Sequence, residues 1–541
     1  MSISISKIFY IQIIIVVLMI LGILPQESSY LILAVMCYGF YRMTLLDSLG
    51  LFIISIPFFT ALPGNQFSDS MSVWRILIAA LFAKAVIGRY CLKISGKGAA
   101  EKVKNMAAAS IISVREKAYG RLFGLFVLFI IINLLSLAEA HYIGAGIKKI
   151  LFIVNIALLF PVSQAAISRK EDVLSVLKYL LQCSLIVAFI GYFQLILTFF
   201  VPLFKFWQFW TNSVIKVFYG ENLSTLLSYS NTWFSYYDVL PATLRMFSVF
   251  PDSHSFSLFI LIAMPVVLFF IVHEKGPKKN NIILAMSLYL LALFFSGSRG
   301  VWASSVAALA IGVAYFTNFR SKINGIKDLS RKMRRGAREK INPRVILFSI
   351  MIFFILMPIS GFVLRKNQEV QLSRSGVEIG DVKEEAMFKR LVSISNFTES
   401  SNMGRIEIWN RTIESINRHY LFGVGVGNFP LILDEEMGTA KMGSSAHNIY
   451  FDIAAETGVF GLLVFILINF EILLFSNRLF RKELAGDEMK IFAGAFFAYF
   501  FWVLIYGLFD VVLFNDKVLM FTVLVIAVLY SLKGAYFKDR M

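Results

Sequence analysis

Long apolar runs without a single formal charge constrain this chain more than any other feature. No Asp, Glu, Lys or Arg falls between Lys7 and Glu27, between Asp252 and Glu274, or between Lys490 and Asp510. A bilayer span needs about 20 mostly apolar residues. Inside lipid the backbone must satisfy its own hydrogen bonds, which leaves helices or closed barrels. Barrel strands alternate polar with apolar residues, and these runs do not. Composition agrees, with 58% hydrophobic and 16% charged residues among 541, where soluble domains carry about 25% charged.

The expected fold is therefore an all-α polytopic membrane protein with about fourteen transmembrane helices. They are placed at 7–24, 28–42, 48–62, 73–92, 121–139, 146–166, 173–201, 255–273, 281–296, 301–317, 345–364, 449–478, 489–511 and 517–533. The first resembles a signal peptide, but it is long for one and has no small-residue cleavage site before Gln26, so it reads as an uncleaved span.

The formal net charge is +18. In a soluble protein that balance would suggest nucleic acid. Here the basic residues gather in alternate loops, above all 93–120 and 318–344, which is the pattern of cytoplasmic loops. It puts both termini in the cytoplasm and excludes a nucleic-acid partner. Cys37, Cys91 and Cys183 lie in or at the end of apolar spans and suggest neither a disulfide framework nor a metal site. Lys84 sits mid-span and needs a partner, for which Asp510 and Glu471 are the candidates.

The chain divides into N-terminal spans (1–201), an aromatic-rich outer segment (202–254), central spans (255–364), a large outer loop (365–448) and C-terminal spans (449–541). Phe204, Phe206, Trp207, Phe209, Trp210, Trp233, Phe234, Tyr236 and Tyr237 in the second unit suggest interfacial helices. The large loop holds ten Lys/Arg against eleven Asp/Glu. Ile406, Trp409, Ile413 and Ile416 recur there at helical spacing and predict a helix over 405–420.

Four of the five histidines, His141, His254, His419 and His447, fall on the outer side, and the inner loops lack a phosphate-binding GxxxxGK[ST] pattern. Three outer segments carry the chemistry. Arg245 to His254 precedes the eighth span. Ser298-Arg299-Gly300 lies in a hairpin of small residues, where a guanidinium suits phosphate oxygens, although an arginine there also serves to snorkel toward headgroups. In the third, Arg405 to Trp409 is followed by Gly423 to Asn428 and then by His447 to Gly461. Ser444 or Ser445 caps the twelfth span and sets His447 in its first turn, where the helix dipole favours the neutral ring. Asn448, Asp452 and Glu456 share one helix face, which looks toward protein or water. Gly458 and Gly461 permit close helix approach, and the Gly423–Gly427 run makes turns or an anion nest.

Over roughly residues 240 to 480, these segments in their order and sidedness resemble the O-antigen ligase and surface-polysaccharide polymerase family. The resemblance implies a fold similar to the C-type glycosyltransferases, in the bacterial inner membrane. It implies transfer of a glycan from a polyprenyl diphosphate, in the outer leaflet, to the hydroxyl of another lipid-linked repeat or of a lipid-A-core sugar. No metal, nucleotide sugar or other cofactor is implied. Arg299 and Arg405 match the family's diphosphate-holding arginines. His447 matches its histidine, either a general base or a diphosphate ligand. Arg245 and His254 join the site on position and chemistry, with Asn448 and Glu456 supporting it. Some polymerases of the family pair an arginine with a later glycine in an outer loop; Arg411 to Gly423 is one residue too long for that signature. A lipid-linked glycan flippase is the alternative. Such transporters have a similar number of spans, but usually related halves and no large folded outer loop.

Overall fold

The structure, a computed structural model, describes residues 4–63, 71–94, 120–230, 232–237, 240–313, 344–375, 400–434, 445–481 and 487–537. Most of the two basic loops at 93–120 and 318–344, and the parts 376–399 and 435–444 of the large loop, lie outside these residues. The N-terminal half contributes α1 (Ile5–Ile20), α2 (Ser28–Arg42), α3 (Leu45–Ser55), α4 (Val73–Ile94), α5 (Gly120–Glu139), α6 (Ile143–Ala166) and α7 (Lys170–Leu197). Short helical turns follow over 203–228, one of them a π-helix at Trp210–Ile215. Then come β1 (Phe234–Tyr237), β2 (Leu240–Leu244), α8 (Ser253–His273), α9 (Pro277–Phe295), α10 (Arg299–Val313), α11 (Arg344–Ser375) and α12 (Ser400–Arg418). Last are α13 (Ile449–Arg481), α14 (Asp487–Tyr506) and α15 (Asp516–Phe537).

Every expected span is helical over most of its length. Among the described residues, eight helices (α5, α6, α7, α8, α9, α11, α13 and α14) are long and apolar enough to cross a membrane, and α1, α3 and α10 are shorter apolar helices. Large apolar side chains face outward, including Phe123 (67% exposed), Phe189 (70%) and Phe362 (63%). A water-soluble protein would bury rings of that size; a polytopic membrane protein turns them to lipid. The core runs along α8, which is buried over nearly its whole length against α7, α9, α14 and α15. Rings interlock there, as where Phe259 and Phe521 meet with centroids 4.3 Å apart.

Four expectations are corrected. The aromatic segment is only partly helical: Phe234–Tyr237 pairs antiparallel with Leu240–Leu244, with a bulge between Ser235 and Tyr237. Aromatic and β-branched residues favour a pleated, half-buried surface, and the alternation places Ser235 inward. Lys84 is held by neither Asp510 nor Glu471; its ammonium donates to the carbonyls of Phe40 and Met43 and to Ser48 Oγ at 3.0 Å. A cation at a helix C-terminus satisfies exposed carbonyls, so neither of those two carboxylates is needed.

The third correction concerns Gly458, which serves a helix break rather than helix approach. At φ +69° and ψ −173° it interrupts α13. A Cβ there would lie 2.0 Å from the Leu421 carbonyl oxygen, and one on Gly423 would lie 2.4 Å from that of Ala455. The loop after α12 therefore plugs the break, with Val424 N–H donating to Ala455 O and Val459 N–H to Tyr420 O. Of the two readings of the Gly423–Gly427 run, the close turn is the one seen. Finally, α12 covers the expected helix but buries a different stripe. Ile406 and Ile413 are exposed, and Ile408, Thr412 and Ile416 face inward.

Candidate active site

The segment entering α8 is fixed before the helix begins. Gln194 of α7 engages both backbone groups of Ser248, accepting its N–H at 2.7 Å and donating to its carbonyl at 2.8 Å. Ser248 sits at φ +55°, and its hydroxyl donates to Val187 O. A β-hairpin braces Arg245, whose N–H donates to Trp233 O at 2.8 Å and whose Nε donates to Ser235 Oγ at 3.1 Å. Asp252 then caps α8, accepting from Ser255 N–H at 2.7 Å and from its hydroxyl at 2.8 Å. Such a cap contributes about 1 kcal/mol. Burial pushes the Asp252 carboxyl above the usual carboxylate range, opposed by the His254 ring and the Ser255 N–H.

His254 lies in the first turn of α8. Its Nδ1 is 3.0 Å from both Ser298 Oγ and Tyr506 Oη, and 3.5 Å from Asp510 Oδ2. Ser298 and Tyr506 are themselves bonded at 3.0 Å. Ser298 directly precedes Arg299, so the short hairpin between α9 and α10 enters the site through its hydroxyl. Gly300 lets that hairpin come close: a Cβ there would lie 2.8 Å from the side chains of Phe509 and Tyr506.

The other side is built by α12 and the start of α13. Arg405 and Trp409 are four residues apart and so share a face of α12. The Trp409 indole N–H donates to Ala446 O at 2.9 Å, and its ring meets Phe451 edge-on. The Ala446 N–H donates to Asp452 Oδ1 at 3.2 Å. Both sides of the residue before His447 are thereby held. His447 does not occupy the first turn of α13. Ser445 accepts its N–H, and Asn448 is the capping residue, accepting from Tyr450 N–H and Phe451 N–H. An asparagine in that position captures the amides that Ser445 was expected to take, and it leaves His447 outside the helix at φ +47°. Ile449 N–H donates to Gly507 O at 2.8 Å, docking this loop on the end of α14 beside Tyr506.

The two sides meet electrostatically. Arg245, Arg405 and His447 lie within electrostatic reach of the His254 ring. Four residues singled out in the sequence thus share one centre, and Arg299 adjoins it through Ser298. His447 Nδ1 is buried with no partner among the described residues. A buried ring nitrogen left unpaired costs free energy, so it is suited to a ligand that arrives. Glu456 is engaged elsewhere, paired with Lys149 at 2.5 Å. Sequence reasoning missed Lys149, Tyr506 and the carboxylate role of Asp510. Lys149 was findable as an ionisable residue within a span; nothing marked Tyr506.

The family model described as O-antigen ligase matches residues 284–466. No curated protein matches the chain.

Proposed function

We propose that this chain, which carries an O-antigen ligase domain, transfers a preassembled glycan from a polyprenyl diphosphate onto an acceptor hydroxyl. The acceptor is either another lipid-linked repeat or a lipid-A-core sugar. The protein sits in the bacterial inner membrane on about fourteen spans in a C-type glycosyltransferase arrangement, with both termini cytoplasmic and the site opening on the outer leaflet under the 365–448 loop. The observation that carries the reading is the grouping of Arg245, Arg405 and His447 around His254, with the buried Nδ1 of His447 unpartnered among the described residues.

The chemistry follows from that charge. When the anomeric C–O bond breaks, negative charge grows on the departing diphosphate. Guanidinium groups fixed beforehand stabilise it without reorganising, and their planar forks match phosphate oxygens. Arg299, Arg405 and Arg245 are assigned this role, which asks for neither a metal nor a nucleotide sugar. His447 acts at the same centre. Asn448 supports it by capping the helix behind it, and Glu456 by anchoring that helix.

The test is Arg299→Ala, Arg405→Ala and His447→Ala, each made singly. Each is expected to abolish glycan transfer while membrane expression stays at the parental level. Normal transfer in all three sinks the reading. A deletion strain then assigns the acceptor on a gel of its surface polysaccharide. Loss of a polymerase leaves single repeats on the acceptor, and loss of a ligase leaves long chains on the carrier.

A further inference from the structure

We infer that His254, oriented by Asp510, is the group that takes the proton from the attacking acceptor hydroxyl, and that His447 serves the diphosphate instead. This rests on the glycosyl-transfer reading above.

Two histidines share the centre, and their surroundings differ. The His254 ring is anchored at one nitrogen only. Nδ1 faces Ser298 Oγ, Tyr506 Oη and Asp510 Oδ2, while Nε2 has no protein partner among the described residues. The His254 side chain keeps 21% of its surface, whereas Asp510 keeps 7%. A buried carboxylate beside Nδ1 favours the tautomer with the proton on Nδ1. That puts the lone pair on Nε2, the accessible side. The same carboxylate offsets the charge of nearby Arg245 and Arg405 when Nε2 takes a proton, which is the role an acidic partner plays for a catalytic histidine.

His447 has the opposite arrangement. Its Nδ1 is buried without a partner, and no carboxylate is bonded to its ring among the described residues. The nearest acid along the chain, Asp452, is committed to Ala446 N–H and faces Lys149. A ring with no acid to steady its cation is a poor proton acceptor, but it is a serviceable donor to a phosphate oxygen.

The step balances as follows. The acceptor oxygen forms a bond to the anomeric carbon. The bond from that carbon to the diphosphate oxygen breaks, and its electron pair leaves with the diphosphate. The acceptor proton passes to His254 Nε2 and is later released to water or to the departed diphosphate. Asp510 acts as a positioning residue, together with Tyr506 and Ser298. Ser298 also ties the dyad to the diphosphate side, since the next residue is Arg299.

The test uses the full-length protein in nanodiscs with lipid-linked saccharide extracted from a strain lacking this chain. His254→Ala is expected to slow transfer by about 10²–10⁴-fold. Added imidazole should restore part of the rate in His254→Ala but not in His447→Ala. Asp510→Asn should lower kcat with little change in KM for the lipid donor. Binding of undecaprenyl diphosphate should survive in His254→Ala and weaken in His447→Ala.

A near-parental rate in His254→Ala overturns the inference, as does rescue of His447→Ala by imidazole. Should His254→Ala not fold, Asp510→Asn together with Tyr506→Phe carries the test, and an unchanged kcat in both overturns it. Loss of transfer in the Arg405 variant alongside a normal rate in His254→Ala would remove only this inference. Normal rates in both would remove the transferase reading as well.

Discussion

Lys149 of α6 sets its ammonium 2.5 Å from Glu456 and 3.8 Å from Asp452, two buried carboxylates on the first segment of α13. Asp452 also receives the N–H of Ala446. One cation therefore steadies both the helix and the residue before His447. Lys149→Met leaves two like charges four residues apart with no counter-cation among the described residues. Breaking a buried pair from one side costs about 3–5 kcal/mol, so the melting midpoint in detergent should fall clearly. Adding Glu456→Gln to the same chain should recover part of the loss, since it removes one stranded charge. A melting curve for Lys149→Met that overlays the parental one would show that the pair adds nothing.

A second prediction concerns the break in α13. Gly458 holds a left-handed backbone, and a Cβ there would run into the Leu421 carbonyl 2.0 Å away. The conformation alone costs a side-chain-bearing residue about 1–3 kcal/mol, and backbone cannot yield as a flexible side chain would. Gly458→Ala should lower the unfolding temperature by more than the conformational cost implies. Gly124→Ala in α5 is the control, because among the described residues no atom beyond its own helix backbone lies within 4 Å of the added carbon. It should be neutral or stabilising, by up to about 1 kcal/mol. Equal losses in the two variants would contradict the close approach.

Hydropathy revealed the apolar helices, eight of them long enough to cross a membrane among the described residues, because lipid imposes one requirement, an apolar surface over a set length, on a crossing segment. The positions of Arg405 and His447 were also legible, since charged residues bordering apolar runs stand out. Asp510 was visible yet was weighed as a partner for Lys84, because sequence gives depth along a helix but not which helices touch. The Lys84 ammonium found carbonyls instead, and no residue pattern encodes a carbonyl. The β-hairpin was hidden for another reason. Trp233, Phe234, Tyr236 and Tyr237 suit an interface as well as a strand, and only the partner residues 240–244 decide between them. The N-cap was misassigned by three or four residues along the chain because Ser444, Ser445 and Asn448 all have capping side chains. The choice was made by Gly507, whose carbonyl fixes where Ile449 begins.

The buried cap of α8 leads to a pH prediction. Burial raises the Asp252 carboxyl above its ordinary 3.8. A carboxyl raised in the folded state holds its proton more tightly there than in the unfolded chain. Its stabilising contribution is complete below 3.8 and is lost as pH rises through the folded value. Asparagine caps a helix as well as aspartate does and does not titrate. Asp252→Asn should therefore melt with less dependence on pH across that window, and above it should equal or exceed the parental protein in stability. If both proteins trace the same pH curve, Asp252 is not the titrating group.

The hydrogen bond from Trp409 to Ala446 separates placement of His447 from stability. Trp409→Phe removes the indole N–H but keeps an aromatic ring against Phe451, so the packing between α12 and α13 largely survives. One hydrogen bond contributes about 0.5–1.5 kcal/mol net, a small change in melting. Geometry is less forgiving, since a misplacement of about 1 Å costs on the order of 10²-fold in rate. With the carbonyl released, the hydrogen bond left on Ala446 among the described residues is its N–H to Asp452, and His447, at φ +47°, keeps its own N–H to Ser445 but loses one of its two flanking anchors. Trp409→Phe should therefore express normally and melt near the parental temperature, yet lose most of its transfer rate at saturating donor. A parental rate would mean that Asp452 and Asn448 suffice to place the histidine, and that α12 contributes to the site only through Arg405.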